Sequence, residues 1–205
     1  MGFYAERILP HLIHLGMRQD ILTAYRRRVI AGARGSVLEV GVGSGLNLPL
    51  YTRDATHVVG IDPSVRLLSM ALQAAGCATV PTELVEGSAE ALPLENASVD
   101  TVVTTWTLCS IGDVATALQE MRRVLKPSGS LLFVEHGRAP EQRVQTWQDR
   151  LTPLWKRLAG GCHLNRPIQQ LIEASGFQID TIDASYMEGP KPMTFMYEGV
   201  ARPIR

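Results

Sequence analysis

The sequence predicts an α/β fold, a mostly parallel sheet covered by helices on both faces. Short runs that are apolar on both faces recur along the 205 residues, stretches with helical spacing separate them, and a glycine-rich turn directly follows the first run. A parallel sheet buried on both faces needs runs without polar alternation. Strand, helix, strand in that order implies right-handed crossovers.

The chain opens with a helical preface over residues 3–34, anchored by Leu9, Leu12, Ile13, Leu22, Tyr25, Val29 and Ile30. Ser36–Val40 reads as the first buried strand and His57–Asp62 as the second. Glu83–Glu86 is a less marked third, followed by Val99–Thr104 and Leu131–Glu135. Between the second and third, Val65, Leu68 and Leu72 fall on one helical face. The segment Val114 to Leu125 repeats the pattern with Val114, Leu118, Met121, Val124 and Leu125. Pro127-Ser128-Gly129 then acts as stop and turn. Residues 141–175 form a helical insertion holding Trp147, Leu151, Leu154, Trp155 and Leu158, then Ile168, Leu171 and Ile172. Phe177–Ala184 and Met193–Val200 alternate like a closing antiparallel pair, joined by the loop Gly189-Pro190-Lys191-Pro192. No linker divides the chain, so residues 1–205 read as one domain with a cap over 1–34.

Composition narrows the function. Twenty Lys+Arg balance twenty Asp+Glu, and 45% of residues are hydrophobic. A zero balance without a basic stripe argues against a nucleic-acid partner. Three scattered cysteines, Cys77, Cys109 and Cys162, fit reduced thiols in the cytoplasm. No Cys/His set has metal-ligand spacing apart from the adjacent Cys162-His163, which builds no site alone, so no metal is expected. The first residues lack a signal-peptide pattern, and no run reaches the roughly 18 apolar residues of a membrane span. Gly2 prompts a myristoylation check, but Glu6 stands where Ser or Thr is needed. The amphipathic 3–15 segment and Arg26-Arg27-Arg28 allow at most weak contact with a membrane surface. The pattern gives no oligomeric state.

The most informative stretch is Val37-Leu38-Glu39-Val40-Gly41-Val42-Gly43-Ser44-Gly45, leading into a helical Leu46-Asn47-Leu48-Pro49. Alternate glycines let the turn fold tightly and let a ligand approach the backbone. The second strand ends in Asp62, whose carboxylate can accept from both ribose hydroxyls of a nucleoside. Two nucleoside cofactors compete. A dinucleotide fold expects GxGxxG, yet the sixth position from Gly41 is Leu46. Glu39 would also repel a pyrophosphate and suits a cationic ligand, as S-adenosylmethionine is.

Taken together, LEVGVGSG at 38–45, GID at 60–62, EGSAEALPLENASVD at 86–100 and EMRRVLKPSGSLLFVEH at 120–136 resemble the class I S-adenosylmethionine-dependent methyltransferases of type 11. The resemblance covers roughly residues 35–185. It implies a Rossmann-like sheet of seven strands in the order 3-2-1-4-5-7-6, strand seven antiparallel. It also implies S-adenosylmethionine as cofactor, with Gly41, Gly43 and Gly45 along its methionine and ribose and Glu39 near its ammonium. Asp62 is implied at the ribose, Pro63 or Ser64 beside the adenine, and Ser88, Ala89 and Glu90 at the adenine edge, with Thr105 completing the set. Many relatives are acidic where Ser88 stands, which weakens the adenine contact there.

In open α/β sheets ligands bind beyond the carboxyl ends of the strands. The fourth strand ends near Thr105-Trp106-Thr107-Leu108-Cys109 and the fifth at Glu135-His136, which with the preface and insertion should frame the acceptor pocket. Trp106, Cys109, His136, Trp147 and His163 are the candidate lining residues. His136 is the candidate base, since imidazole can take a proton near neutral pH. Cys109 is pocket lining, because displacement at a sulfonium methyl needs no covalent intermediate.

A narrower resemblance lies in TLCSI at 107–111, FVEHGRAP at 133–140 and TWQDRLTPLWKRLAGGCHLNR at 146–166. These are similar to the animal methyltransferase-like proteins that methylate alkyl thiols. Those relatives have a hydrophobic N-terminal anchor that this chain lacks. Similar domains occur among bacterial phosphatidylethanolamine N-methyltransferases. The expected activity is transfer to a small, rather apolar acceptor, a thiol favoured over an amine. A phospholipid amine and a non-catalytic nucleoside-binding module are the alternatives.

Overall fold

A computed structural model describes residues 4–204; Gly2 and the start of the 3–15 segment lie outside them. A π-helical turn, Tyr4–Ile8, runs into α1 (Leu9–Met17), and α2 (Asp20–Ile30) follows. The alternating body comprises β1 (Gly35–Val40), β2 (Ala55–Asp62), α3 (Val65–Ala75), β3 (Thr82–Glu86), β4 (Val99–Thr105), α4 (Val114–Val124) and β5 (Leu125–His136). The insertion supplies α5 (Gln142–Leu158) and α6 (Ile168–Ala174), and the chain closes with β6 (Phe177–Tyr186), α7 (Lys191–Thr194) and β7 (Phe195–Pro203).

The seven strands lie in the order β3-β2-β1-β4-β5-β7-β6. Pairings from β3 to β5 are parallel, whereas β7 runs antiparallel to both β5 and β6. This is the expected Rossmann-like topology. Side chains alternate between two cores. Leu38, Val40, Val102, Leu131 and Phe133 face α4 and α6, packing on Leu118, Met121, Ile168 and Ile172. Val37, Val58, Val103, Leu132 and Val134 face the opposite layer, packing on Val29, Ile30, Leu68 and Ala71. Two-sided burial is why these strands read as unbroken apolar runs.

Three local expectations are corrected. The stripe that α3 buries is Leu67, Leu68 and Ala71, while Val65 and Leu72 are exposed. A Cβ on Gly45 would stand 3.0 Å from the Ala71 Cα, so the helix presents its small side to the glycine turn. The helical segment after β1 shrinks to a 3₁₀ turn, Leu48–Leu50, where Pro49 supplies no N–H. Pro127-Ser128-Gly129 is absorbed into β5 as a bulge, since Leu125 pairs with Val99 and Ser130 with Thr101.

Helix α5 buries Gln148 and Thr152 rather than its large apolar residues; Trp147, Leu154 and Leu158 are exposed. Gln148 bridges the Ala139 N–H and the Gly137 carbonyl, and the Thr152 hydroxyl returns to the Gln148 carbonyl. Satisfied polar atoms make this inward face tolerable. The basic triplet also divides: Arg26 is buried, donating to the Met17 carbonyl, and Arg28 pairs with Glu198 at 2.7 Å.

Candidate functional site

At the carboxyl ends of β1, β2, β4 and β5 lies a cavity of about 910 Å³. One end is built around the glycine turn. Gly41 has φ +73°, and a Cβ there would overlap the Thr107 side chain, so only glycine fits. Gly43 lines the cavity, and its N–H donates to Asp62 Oδ2 at 3.0 Å; Asp62 Oδ1 accepts from the Ser64 N–H at 2.8 Å. Asp62 is therefore clamped between the turn and the start of α3. Burial raises its pKa, opposed by those two backbone donors.

Pro63, Ser88, Ala89, Glu90 and Thr105 also line the cavity. The Ser88 hydroxyl donates to Glu90 Oε2 at 2.8 Å and accepts from the Glu90 N–H at 3.2 Å, closing the loop on itself. Glu90 Oε1 accepts from the Asp113 N–H at 2.7 Å, tying this loop to the start of α4.

Glu39 and Gly45 are set back and do not themselves line the cavity. The Glu39 carboxylate accepts from Asn47 Nδ2 at 2.8 Å and from the Tyr51 hydroxyl at 2.9 Å. Burial pushes its pKa up to about 7, against those donors and the Arg26 charge. Asn47 gives its second proton to Thr105 Oγ1 at 3.0 Å, and its Oδ1 is buried without a partner while the residue lines the cavity. Asn47 thus stands between the cavity and the carboxylate of Glu39, with its amide oxygen unpaired. Arg26 lines the same end, its guanidinium 4.7 Å above the Trp106 ring. Burial lowers its pKa to about 10, still a cation at neutral pH. From the preface, His14 Nδ1 meets Ser44 Oγ at 2.8 Å and holds α1 over the glycine turn.

The other end is walled by Trp106, Cys109, His136, Trp155, Cys162, Leu164, Met187, Met193 and Met196. Trp106 takes φ +53°, a conformation uncommon for a bulky residue, at the tip of β4. Its ring meets Tyr25 edge-on at 6.4 Å. His136 Nε2 lies 2.9 Å from Cys162 Sγ, and His136 Nδ1 is buried without a partner. Behind them Glu135 accepts from the Thr107 N–H at 3.0 Å, and burial beside Cys109 raises its pKa to about 8.

Two expected pocket residues lie elsewhere. Trp147 is exposed on the outer side of α5, its ring 5.8 Å from the Arg150 guanidinium. His163 is absent from the cavity wall; its N–H donates to the Cys109 carbonyl at 2.8 Å and its Nδ1 lies 3.1 Å from the same oxygen. Arginine 166, which sequence reasoning missed, fixes the same loop from the other side: the buried Arg166 guanidinium donates to the carbonyls of Leu108 and Ile111. Its replacement by methionine strands both carbonyls, and Arg166→Met is expected to cost about 3 kcal/mol. Denaturant unfolding measures this; an unchanged midpoint would mean that the loop does not depend on the guanidinium.

Residues 38–133 match a family model described as a methyltransferase domain. This segment is a class I S-adenosylmethionine-dependent methyltransferase domain. The glycine turn, Asp62 and the Ser88–Glu90 loop all fall within that methyltransferase segment. The chain is 34% identical over 146 residues to the thiol S-methyltransferase TMT1B of Rattus norvegicus, spanning 69% of this chain and 59% of that protein. It is 38% identical over 117 residues to a phosphatidylethanolamine N-methyltransferase of Cereibacter sphaeroides, spanning 54% and 57%. A SAM-dependent methyltransferase structure from Leishmania major shares the fold at a TM-score of 0.71 and 16% identity, over 97% of this chain and 80% of that one. The chain spans 57–63% of the length of the first curated relatives it matches. No helix among the described residues is long and apolar enough to cross a membrane.

Proposed function

We propose that this protein transfers the methyl group of S-adenosylmethionine to the sulfur of a small, lipophilic thiol. The observation behind this reading is the division of the cavity. One end offers Asp62, Asn47 and Arg26 to a ligand with hydroxyl, ammonium and carboxylate groups. The other offers three methionines, two tryptophans and a Cys–His cluster to an apolar acceptor. Exposed Leu12 and Leu158 also line the cavity, giving its mouth an apolar rim. The thiol S-methyltransferases among the relatives support sulfur as the acceptor atom.

When bound, the cofactor supplies an electrophilic methyl on a sulfonium and departs as the neutral thioether S-adenosylhomocysteine. The residues supply alignment, which is much of what a direct displacement requires. Asp62 takes the ribose, Asn47 the ammonium and Arg26 the carboxylate. Ser88, Ala89 and Pro63 flank the adenine, and Glu90 holds the adenine loop against α4. Trp106 and the methionines exclude water around the acceptor. An acceptor thiol, with a free pKa of about 8.5, must lose its proton. It does so at the cluster of His136, Cys109 and Cys162, His136 being the base.

A methyl-transfer screen tests the reading, using alkyl thiols of increasing chain length beside phenols, amines and phosphatidylethanolamine vesicles. Turnover on thiols, rising with chain length, is expected. Turnover confined to the vesicles would replace the thiol with a lipid amine. No turnover on any acceptor, with the cofactor bound, would leave a nucleoside-binding module.

A further inference from the structure

The two thiols and the imidazole at the acceptor end come from three separate parts of the chain: the loop after β4, the last residue of β5 and the loop after α5. Nothing in their sequence spacing connects them. Yet Cys109 Sγ, a His136 ring nitrogen and Cys162 Sγ all lie within 4.8 Å of one another. Neither cysteine is in a disulfide. Tetrahedral zinc, with bonds of about 2.3 Å to sulfur and about 2.0 Å to nitrogen, sets its ligand atoms roughly 3.5–3.8 Å apart. The cluster is of that scale, and its His136–Cys162 edge, 2.9 Å, has to open for an ion to enter.

We propose that Cys109, His136 and Cys162 form a three-ligand site for a thiophilic divalent ion such as zinc, with its fourth position open to the cavity. All three residues line that cavity, so the vacant direction is the one from which an acceptor arrives. The surroundings suit thiolate ligands. The Trp155 indole N–H points at Cys162 Sγ at 3.3 Å, and the Ser110 hydroxyl lies 3.5 Å from Cys109 Sγ. Donors of this kind hold and tune metal-bound sulfur. His136 Nδ1 has no partner, so the ring's hydrogen bond is the one on its sulfur side. Two thiolates neutralise a divalent ion, and loading releases the two thiol protons to solvent.

The fourth ligand deepens the proposed function and rests on it. An exogenous thiol entering that position passes its proton to solvent and binds as thiolate, so the ion would take over from the imidazole the task of keeping the acceptor deprotonated.

Cobalt(II) titration of the reduced protein under argon tests the site, with Co(II) as spectroscopic stand-in. Sulfur-to-cobalt charge-transfer absorption saturating at one equivalent is expected. The absorption should be lost in Cys109→Ser and Cys162→Ser and unchanged in Cys77→Ser, the exposed cysteine, with cofactor affinity showing that each variant is folded. Absence of the band in the wild type, its survival in Cys162→Ser, or a Cys109–Cys162 disulfide formed instead of metal loading would each overturn the site. Addition of an alkyl thiol should then shift the band; an unmoved band overturns the open position. The two readings fail separately. Metal loading without thiol turnover would sink the proposed substrate and leave the site, whereas full turnover by chelated protein would sink the ion's part and leave the thiol activity.

Discussion

Asp62→Ala is expected to weaken S-adenosylmethionine binding by about 100- to 1,000-fold. The carboxylate accepts from the Gly43 N–H and the Ser64 N–H, so it both fastens the glycine turn to the start of α3 and presents its remaining lone pairs to the cavity. Hydrogen bonds to a charged group contribute about 1.5–3 kcal/mol each. Losing two to the ribose, at the lower end of that range, costs about 3–4 kcal/mol, and each 1.36 kcal/mol is a factor of ten. Asp62→Asn keeps the shape and one acceptor, and should lose about tenfold. Calorimetric titration distinguishes these values. Undiminished binding by the alanine variant would mean that the nucleoside does not sit at the end of β2, and preferential binding of a dinucleotide would mean that the glycine turn serves a different ligand.

The glycine-turn half of the cavity was legible because its determinants are local. A glycine pattern, a strand-end carboxylate and a short polar loop follow strands that announce themselves as double-sided apolar runs. The acceptor half was legible only in part. The strand ends at Trp106, Cys109 and His136 were found because the topology sends them to one edge of the sheet. Trp147 and His163 were misplaced because residue type does not reveal which way a helix or loop turns. Around Trp147 the inward positions went to Gln148 and Thr152, whose polar atoms the backbone satisfies. The residues not foreseen share one property, that their partners are set by tertiary packing rather than by any periodic pattern. Arg26 reaches the cavity from the preface, Asn47 and Tyr51 lock Glu39, and Arg166 clamps a loop some 55 residues earlier. A buried arginine with carbonyl partners leaves no periodic trace, and the Cys109–His136–Cys162 cluster leaves none either.

Cofactor affinity should rise by about tenfold between pH 6 and pH 8, and Glu39 is the group expected to cause it. Its pKa stands at about 7 because burial penalises the carboxylate, and the charged groups around it are Arg26 from α2 and Asp62 from β2. The unfolded chain ionises this side chain near its ordinary value of about 4.3. Between there and pH 7 the folded protein therefore holds the extra proton, and its stability falls as pH rises through that window, by on the order of 3 kcal/mol. A cationic ligand beside Asn47 reverses the balance, because it favours the ionised Glu39. One pH unit below the folded pKa about nine-tenths of Glu39 is neutral, which gives the tenfold step when only the carboxylate form binds well. Glu39→Gln keeps a neutral side chain of the same length. It should bind weakly at every pH and lose both the step in affinity and the decline in unliganded stability. Thermal shifts with and without S-adenosylmethionine across this range read both quantities at once. A Glu39→Gln protein that retains the wild-type step would move its origin to Asp62, a second buried carboxylate whose pKa is raised and one that lines the cavity, and would leave Glu39 with only the task of holding Asn47 and Tyr51.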